Sequence, residues 1–203
     1  MAGTVKEIVS TRSKTAAKKL SRSFFRQSAV ELAPALIGKI LVRRIRGKTF
    51  RARIVETEAY LGPDDLASHA AKGRTPRTEI LFGPAGRAYV YLIYGLHEML
   101  NVVAGEPGEA QAVLIRAARP LDGWKVNLSG PGRFTRAFKI TRAENGLDLT
   151  GGQLYFLDDP AYHARVVTAK RIGIDYAGEW RDAPLRFLDA DAHDNLSYGQ
   201  ESD

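Results

Sequence analysis

Cysteine is absent from the 203 residues. Disulfides, thiol nucleophiles, cysteine-ligated zinc and iron–sulfur clusters are excluded together. No apolar run approaches the roughly 20 residues a membrane-spanning helix needs. The opening residues, MAGTVKEIVSTRSKTAAKKL, lack the apolar centre of an export signal, so a cytoplasmic protein is the expectation. The four histidines, His69, His97, His163 and His193, show no metal-ligand spacing. Neither common nucleotide-cradling glycine loop occurs. What is present is a composition 44% hydrophobic, enough for a real core in one domain of ordinary size.

The formal charge is +7, which points to a polyanionic partner. Its distribution is uneven. Residues 1–26 hold Lys6, Arg12, Lys14, Lys18, Lys19, Arg22 and Arg26 against Glu7 alone, a net of +6, and the remaining residues are nearly balanced. Residues 1–22 therefore read as a basic, flexible tail able to add affinity for DNA phosphates, and 23–203 as the functional domain.

Ser28 and Glu31 form a capping box ahead of a short helix that ends near Gly38, with Pro34 shortening it. KILVRRI and TFRARIVETEA alternate around Gly47-Lys48 as a β-hairpin. RAYVYLIYG, MLNVVAG and EAQAVLIRAARP read as strands, the last stopped by Pro120. GPGRFTRAFKI opens a helix after its glycines, and GGQLYFLD, AKRIGID and PLRFLD read as further short strands. Strands joined mostly by turns predict an α+β domain with a largely antiparallel sheet.

Three stretches carry chemistry. In RIVETEAYLGPDDLASH, strand alternation puts Val55, Thr57, Ala59 and Leu61 on one face and Ile54, Glu56, Glu58 and Tyr60 on the other. Two carboxylates on one face repel unless they meet cations or water. The face is either solvent-exposed or the floor of a pocket in which a carboxylate beside Tyr60 activates water; His69 lies within folding reach. In YVYLIYG, Tyr89 and Tyr91 share a face. Tyr89 reads as an ordinary sheet residue, whereas Tyr94 abuts the turn glycine Gly95, where a ring has little core to fill and can wedge between base steps. Asn101 and Arg116 are polar residues in apolar strands. Asn101 is explained by a local backbone bond as readily as by function, and a buried Arg116 needs an anionic partner, either a carboxylate such as Glu58 or a phosphate. SGPGRF is either a turn or a helix start that offers amides to a phosphate.

RIVETEAYLGPDDLASH, TPR, YVYLIYG with LN downstream, VLIRAARPL and RIGIDYAGEWRDAPLRF occur in this order across residues 28–188. Together they resemble the alkyladenine (3-methyladenine, or methylpurine) DNA glycosylase family. The resemblance implies a single mixed domain with a curved, largely antiparallel sheet, a protruding β-hairpin, no metal and no cofactor. It implies a monomer acting on double-stranded DNA that contains a damaged purine, and no membrane partner. Glu58 matches the family's water-activating glutamate, and Arg116 the arginine near the flipped nucleotide's phosphate and the catalytic water. Tyr60, His69 and Tyr91 match the residues that sandwich the extruded base. Tyr94 matches the ring that takes the base's place in the stack, and Asn101 the residue that crowds the exocyclic amine of guanine. The backbone at Ile174 would lie against the base edge. Asp175 and Tyr176 depart from the glycine and histidine of better-known vertebrate members, and Thr78-Glu79 from the Asn-Arg that often follows TPR.

The implied activity is monofunctional excision of 3-methyladenine and 7-methylguanine, with hypoxanthine and ethenoadenine as further candidates. No lysine falls in the matching segments, so hydrolysis without a Schiff base is expected. Two other readings stay open: a non-catalytic nucleic-acid-binding module, and a nucleoside or glycoside hydrolase using Glu56 and Glu58 as a pair spaced by roughly 6.5–7 Å.

Overall fold

The structure, a computed structural model, describes residues 17–193. Two short helices, α1 (Arg22–Phe25) and α2 (Ala29–Leu36), precede β1 (Ile40–Ile45) and β2 (Lys48–Tyr60). Next come β3 (Ala88–Ile93), β4 (His97–Ala104), β5 (Gln111–Pro120) and α3 (Pro131–Phe138). The chain closes with β6 (Leu154–Leu157), β7 (Val166–Ala169), β8 (Arg186–Asp189) and α4 (Ala190–His193). The strands form one curled antiparallel sheet in the order β3-β4-β5-β2-β1-β6, with β8 joined to β2 and β7 to β8. This is the single α+β domain with a protruding hairpin that the sequence predicts. Among the described residues, no helix is long and apolar enough to cross a membrane.

The capping box forms as read. Ser28 Oγ accepts from Glu31 N, and the Glu31 carboxylate takes the Ser28 amide. The helix ends two residues after Pro34. The β1–β2 turn residues are Arg46 and Gly47, one position earlier than expected. Both have positive φ (48° and 73°), the twist a two-residue hairpin prefers. α3 starts at Pro131 rather than after its glycines, because proline suits the first helical position and Gly132 is carried inside. AKRIGID is a correction: the strand lies earlier, at Val166–Ala169, and residues 170–175 form an irregular loop. Gly173 has φ +76°, and the Ile172 amide leaves the ladder for a side chain described below. Of the basic tail, residues 1–16 lie outside the described residues. Residues 18–20 already run along β6, where the Leu20 amide bonds the Phe156 carbonyl at 3.0 Å and Leu20 is buried. The packed chain thus begins before residue 23.

β2 organises the domain. Its first half pairs with β1, residues 56–58 pair with β8 on that same edge, and β5 covers the other edge along residues 52–60. The pairing with β5 slips on both sides of Glu56, first past Val55 and then past Arg116, a β-bulge. An extra residue in one strand reverses the alternation beyond it. Ile54 therefore packs in the main core together with Ala59, while Val55 leaves for a small cluster with Ala117 and Ala192. The expected grouping of Ile54 with Glu56, Glu58 and Tyr60 is wrong for this reason. Thr57 still faces inward, donating from Oγ1 to the Ala33 carbonyl of α2 at 2.9 Å. Flanked by β5, β8 and α2, residues 54–59 are buried on both faces.

Candidate active site

The bulged end of β2 carries its two glutamates into this double-sided burial. Glu58 is wholly buried and Glu56 nearly so, which rules out the solvent-exposed reading of the pair. A buried carboxylate needs counter-charge, and Arg116 on β5 supplies it to both. Its Nε lies 3.1 Å from Glu56 Oε1 and its Nη1 3.3 Å from Glu58 Oε1. Arg186 on β8 adds a second cation to Glu56 at 3.0 Å. Glu58 is further held by the Ile172 amide, which donates to Oε1 at 2.9 Å, and by the Tyr60 hydroxyl, which donates to Oε2 at 2.9 Å. Burial is the largest influence on the Glu58 carboxyl and raises its pKa; Arg116, the Ile172 amide and Tyr60 oppose this without cancelling it. Burial first, then the charge of Glu58, pushes the Tyr60 phenol well above its ordinary value, so it remains a donor.

In front of this group opens a cavity of about 250 Å³ lined by Tyr60, His69, Tyr91, Asn101, Arg116 and Ile174. Glu58 does not itself line the cavity. It lies directly behind three residues that do: Tyr60, Arg116 and Ile172. Tyr94 stands at the cavity's hairpin side. The size is just below the roughly 300–1,000 Å³ of typical ligand pockets and suits one flat ring system.

Each wall has a local cause. Gly62, with φ +100°, starts the turn after β2; a Cβ there would lie 2.5 Å from the Glu109 carbonyl oxygen. Ser68 Oγ accepts from the Ala70 amide and starts a one-turn helix, His69–Lys72, which sets His69 at the cavity. His69 Nδ1 shares a hydrogen with the Tyr89 hydroxyl at 2.8 Å, and its ring meets Tyr91 edge-on at 4.5 Å. Burial, then Arg77 and Lys72, depress the imidazole pKa to about 4. It is neutral at pH 7 and does not repel a cationic ring. Asn101 Nδ2 donates to the Tyr89 and Met99 carbonyls at 3.3 and 3.5 Å. Its local-bond reading and its pocket position thus hold together, and the atom it can offer a base is the acceptor Oδ1.

The β3–β4 hairpin turns at Tyr94-Gly95, with the Leu96 amide closing on the Ile93 carbonyl at 3.1 Å. Tyr94 has φ 52°, unusual for a bulky residue, and is 84% exposed beside Leu96 at 76%. Two large side chains at a hairpin tip are left mostly uncovered by the described residues.

Sequence reasoning missed several contributors. Tyr89, read as an ordinary sheet residue, lines the cavity and orients His69; its face-sharing with Tyr91 was the available signal. Arg77 stacks behind Tyr91 at 5.3 Å. Thr78, at a point of departure from the family pattern, closes its own loop by donating to the Gly73 carbonyl at 2.8 Å. Asp65, a turn residue by sequence, and Arg171, placed in the expected AKRIGID strand, form a fully buried ion pair at 2.5 Å behind Tyr60.

The site is thus an aromatic-walled cleft with room for one flat ring, backed by an arginine-held carboxylate. The chain belongs to the methylpurine-DNA glycosylase family, whose model matches residues 23–193. Over 170 residues it is 51% identical to a protein of Anaeromyxobacter sp. (strain Fw109-5), an alignment covering 83% of this chain and 88% of that one. Over 184 residues it is 45% identical to a protein of Methanocella arvoryzae, covering 84% and 92% respectively. Both relatives carry the name "Putative 3-methyladenine DNA glycosylase". Membership of this family sets aside the non-catalytic binding module.

Proposed function

We propose that this protein is a monofunctional 3-methyladenine DNA glycosylase that turns an alkylated purine out of duplex DNA and hydrolyses its N-glycosidic bond with water activated by Glu58. The observation that carries the reading is the fully buried Glu58, bound to Arg116 at 3.3 Å immediately behind an aromatic cleft. A base within a duplex cannot be reached, so it is extruded at a cost of a few kcal/mol, and Tyr94 fills the vacated position. The purine stacks between Tyr60 on one side and His69 with Tyr91 on the other. N3- or N7-alkylation makes the ring cationic, and each aromatic face favours such a ring by about 0.5–2 kcal/mol. The neutral His69 adds no opposing charge.

The C1′–N bond breaks with its electron pair leaving on the purine. The alkylated ring is already cationic, so it departs neutral. Glu58 stabilises the oxocarbenium-like sugar and takes a proton from the water that adds to C1′. Oε1 is committed to Arg116 and Ile172, so Oε2 is the accepting atom. Oε2 accepts from the Tyr60 hydroxyl with one lone pair, and the attacking water bonds the other. The products are free base and an abasic site. Asn101 Oδ1 opposes bases according to the group they present at that edge.

The paired-carboxylate reading fares worse. Glu56 is tied to both Arg116 and Arg186 and is absent from the cavity lining, and an exposed hairpin ring has no use for a free nucleoside. The test is release of 3-methyladenine from alkylated duplex DNA, with the free nucleoside as control. Glu58→Gln should keep lesion binding and lose at least roughly 10²-fold in excision. Excision near the wild-type rate, or equal activity on the nucleoside, would overturn the proposal.

A further inference from the structure

The Asp65–Arg171 pair lies outside the reacting groups yet packs on Tyr60 and sits one residue from the Ile172 amide that bonds Glu58. Both side chains are 0% exposed. Arg171 spans the carboxylate with two nitrogens, Nη1 to Oδ2 at 2.5 Å and Nη2 to Oδ1 at 2.9 Å, and Nη1 also donates to the Ala59 carbonyl at 2.9 Å. Its guanidinium lies 4.8 Å from the centre of the Tyr60 ring. Asp65 in turn accepts from the Leu61 amide at 3.1 Å and the Ala67 amide at 3.0 Å. One ion pair therefore ties the loop that follows β2 to the loop of residues 170–174. Immediately next along the chain, the Ile172 amide donates to Glu58, and the two loops close on each other through Ala67, Ile174 and Ala177.

A solitary buried ion pair seldom repays its desolvation through stability alone. Here the guanidinium's planar fork engages both carboxylate oxygens at once, a geometry lysine cannot reproduce. We propose that Asp65 and Arg171 are positioning residues that hold the Ile172 amide and the Tyr60 ring in register with Glu58, and so set the pH range over which Glu58 serves as the base. The inference rests on the reading of Glu58 given above.

The groups facing Glu58 limit what else could produce such an effect. Arg116 faces it from β5 and Glu56 and Tyr60 from its own strand, while the charge of Glu58 in turn raises the pKa of Tyr91 on β3. Arg186 on β8 is directed to Glu56. Arg171 touches none of the Glu58 oxygens; it acts through Ile172 and Tyr60. Both of these favour the ionised carboxylate, so loosening them leaves burial less opposed and moves ionisation to higher pH.

The test is single-turnover excision of 3-methyladenine from duplex DNA between pH 5 and 9. The variants are Arg171→Lys and the charge-neutral pair Asp65→Asn with Arg171→Gln, and melting temperatures are recorded in parallel. Weakening hydrogen bonds that favour the ionised carboxylate should lower excision most at the acidic end of the profile, by up to about 10-fold, with the loss shrinking toward the alkaline end as the acidic limb moves upward. Arg171→Lys, which keeps the charge and the fold but not the fork, should show the same upward movement to a smaller extent. It decides the matter if the double variant does not fold. A loss equal at every pH, or an unmoved acidic limb in folded Arg171→Lys, would overturn the positioning role. Glu58→Gln, run alongside, separates the two failures: if it still excises, the underlying assignment of Glu58 falls instead.

Discussion

Tyr60 donates its phenol hydrogen to Glu58 Oε2 at 2.9 Å from two residues further along the same strand. The stacking ring and the base of the proposed reaction are thus one hydrogen-bonded unit, with the phenol hydroxyl as a cap on the carboxylate. The cap does not make its charge comfortable. Burial outweighs Arg116, Ile172 and Tyr60, and the Glu58 carboxyl is raised above its ordinary 4.5.

That shift has a sign in stability. The folded state holds the Glu58 proton more tightly than the unfolded chain does. The contribution is fully present below the ordinary glutamate pKa and is lost as pH rises through the raised value. At neutral pH the ionised side chain therefore costs stability that glutamine would not. Glu58→Gln should melt above the wild type at pH 7.5, with the gap closing toward pH 4. A lower melting temperature at pH 7.5 would show that the charge itself holds the core together.

His69 carries the opposite linkage. Its folded pKa, about 4, lies below the roughly 6.5 of an unfolded histidine. Its contribution is present above about 6.5 and is lost as pH falls from there toward 4. NMR titration of the His69 ring should show a neutral imidazole from pH 8 down to 5, with the midpoint near 4. A midpoint near 6.5 would mean that the ring is charged when a cationic purine arrives, which contradicts the proposed binding mode.

Tyr94 separates binding from folding. A left-handed conformation costs an L-residue roughly 1–2 kcal/mol, and asparagine tolerates it better. With 84% of Tyr94 exposed, little packing is lost on its removal. Tyr94→Asn should leave the melting temperature unchanged or higher. Losing a stacking contact of about 1–3 kcal/mol should lower lesion-duplex affinity about 5- to 150-fold. 2-Aminopurine fluorescence beside the lesion reports the flip directly. An unchanged flipping signal together with a large fall in melting temperature would make Tyr94 a core residue.

The local pattern of the chain determined much. The Ser28 cap, the β1–β2 and β3–β4 hairpins, the β5 strand and the antiparallel class all follow from turn residues and alternation acting over a few neighbours. The pairing of Glu58 with Tyr60 was legible for the same reason, since i and i+2 share a strand face, and the exposed ring at Gly95 followed from the turn. Tertiary structure decided the rest. Alternation cannot foresee the bulge at Val55–Glu56, because the slip exists only relative to β5, and it sends Ile54 to the other face. Nor can it show that residues 170–175 leave the ladder: the Ile172 amide finds Glu58 114 positions away in the chain. Asp65 in its turn and Arg171 in its expected strand carry no sign of each other until they meet, 106 residues apart. Buried charge demands a partner wherever in the chain that partner lies, and local spacing carries no record of which one folding will supply.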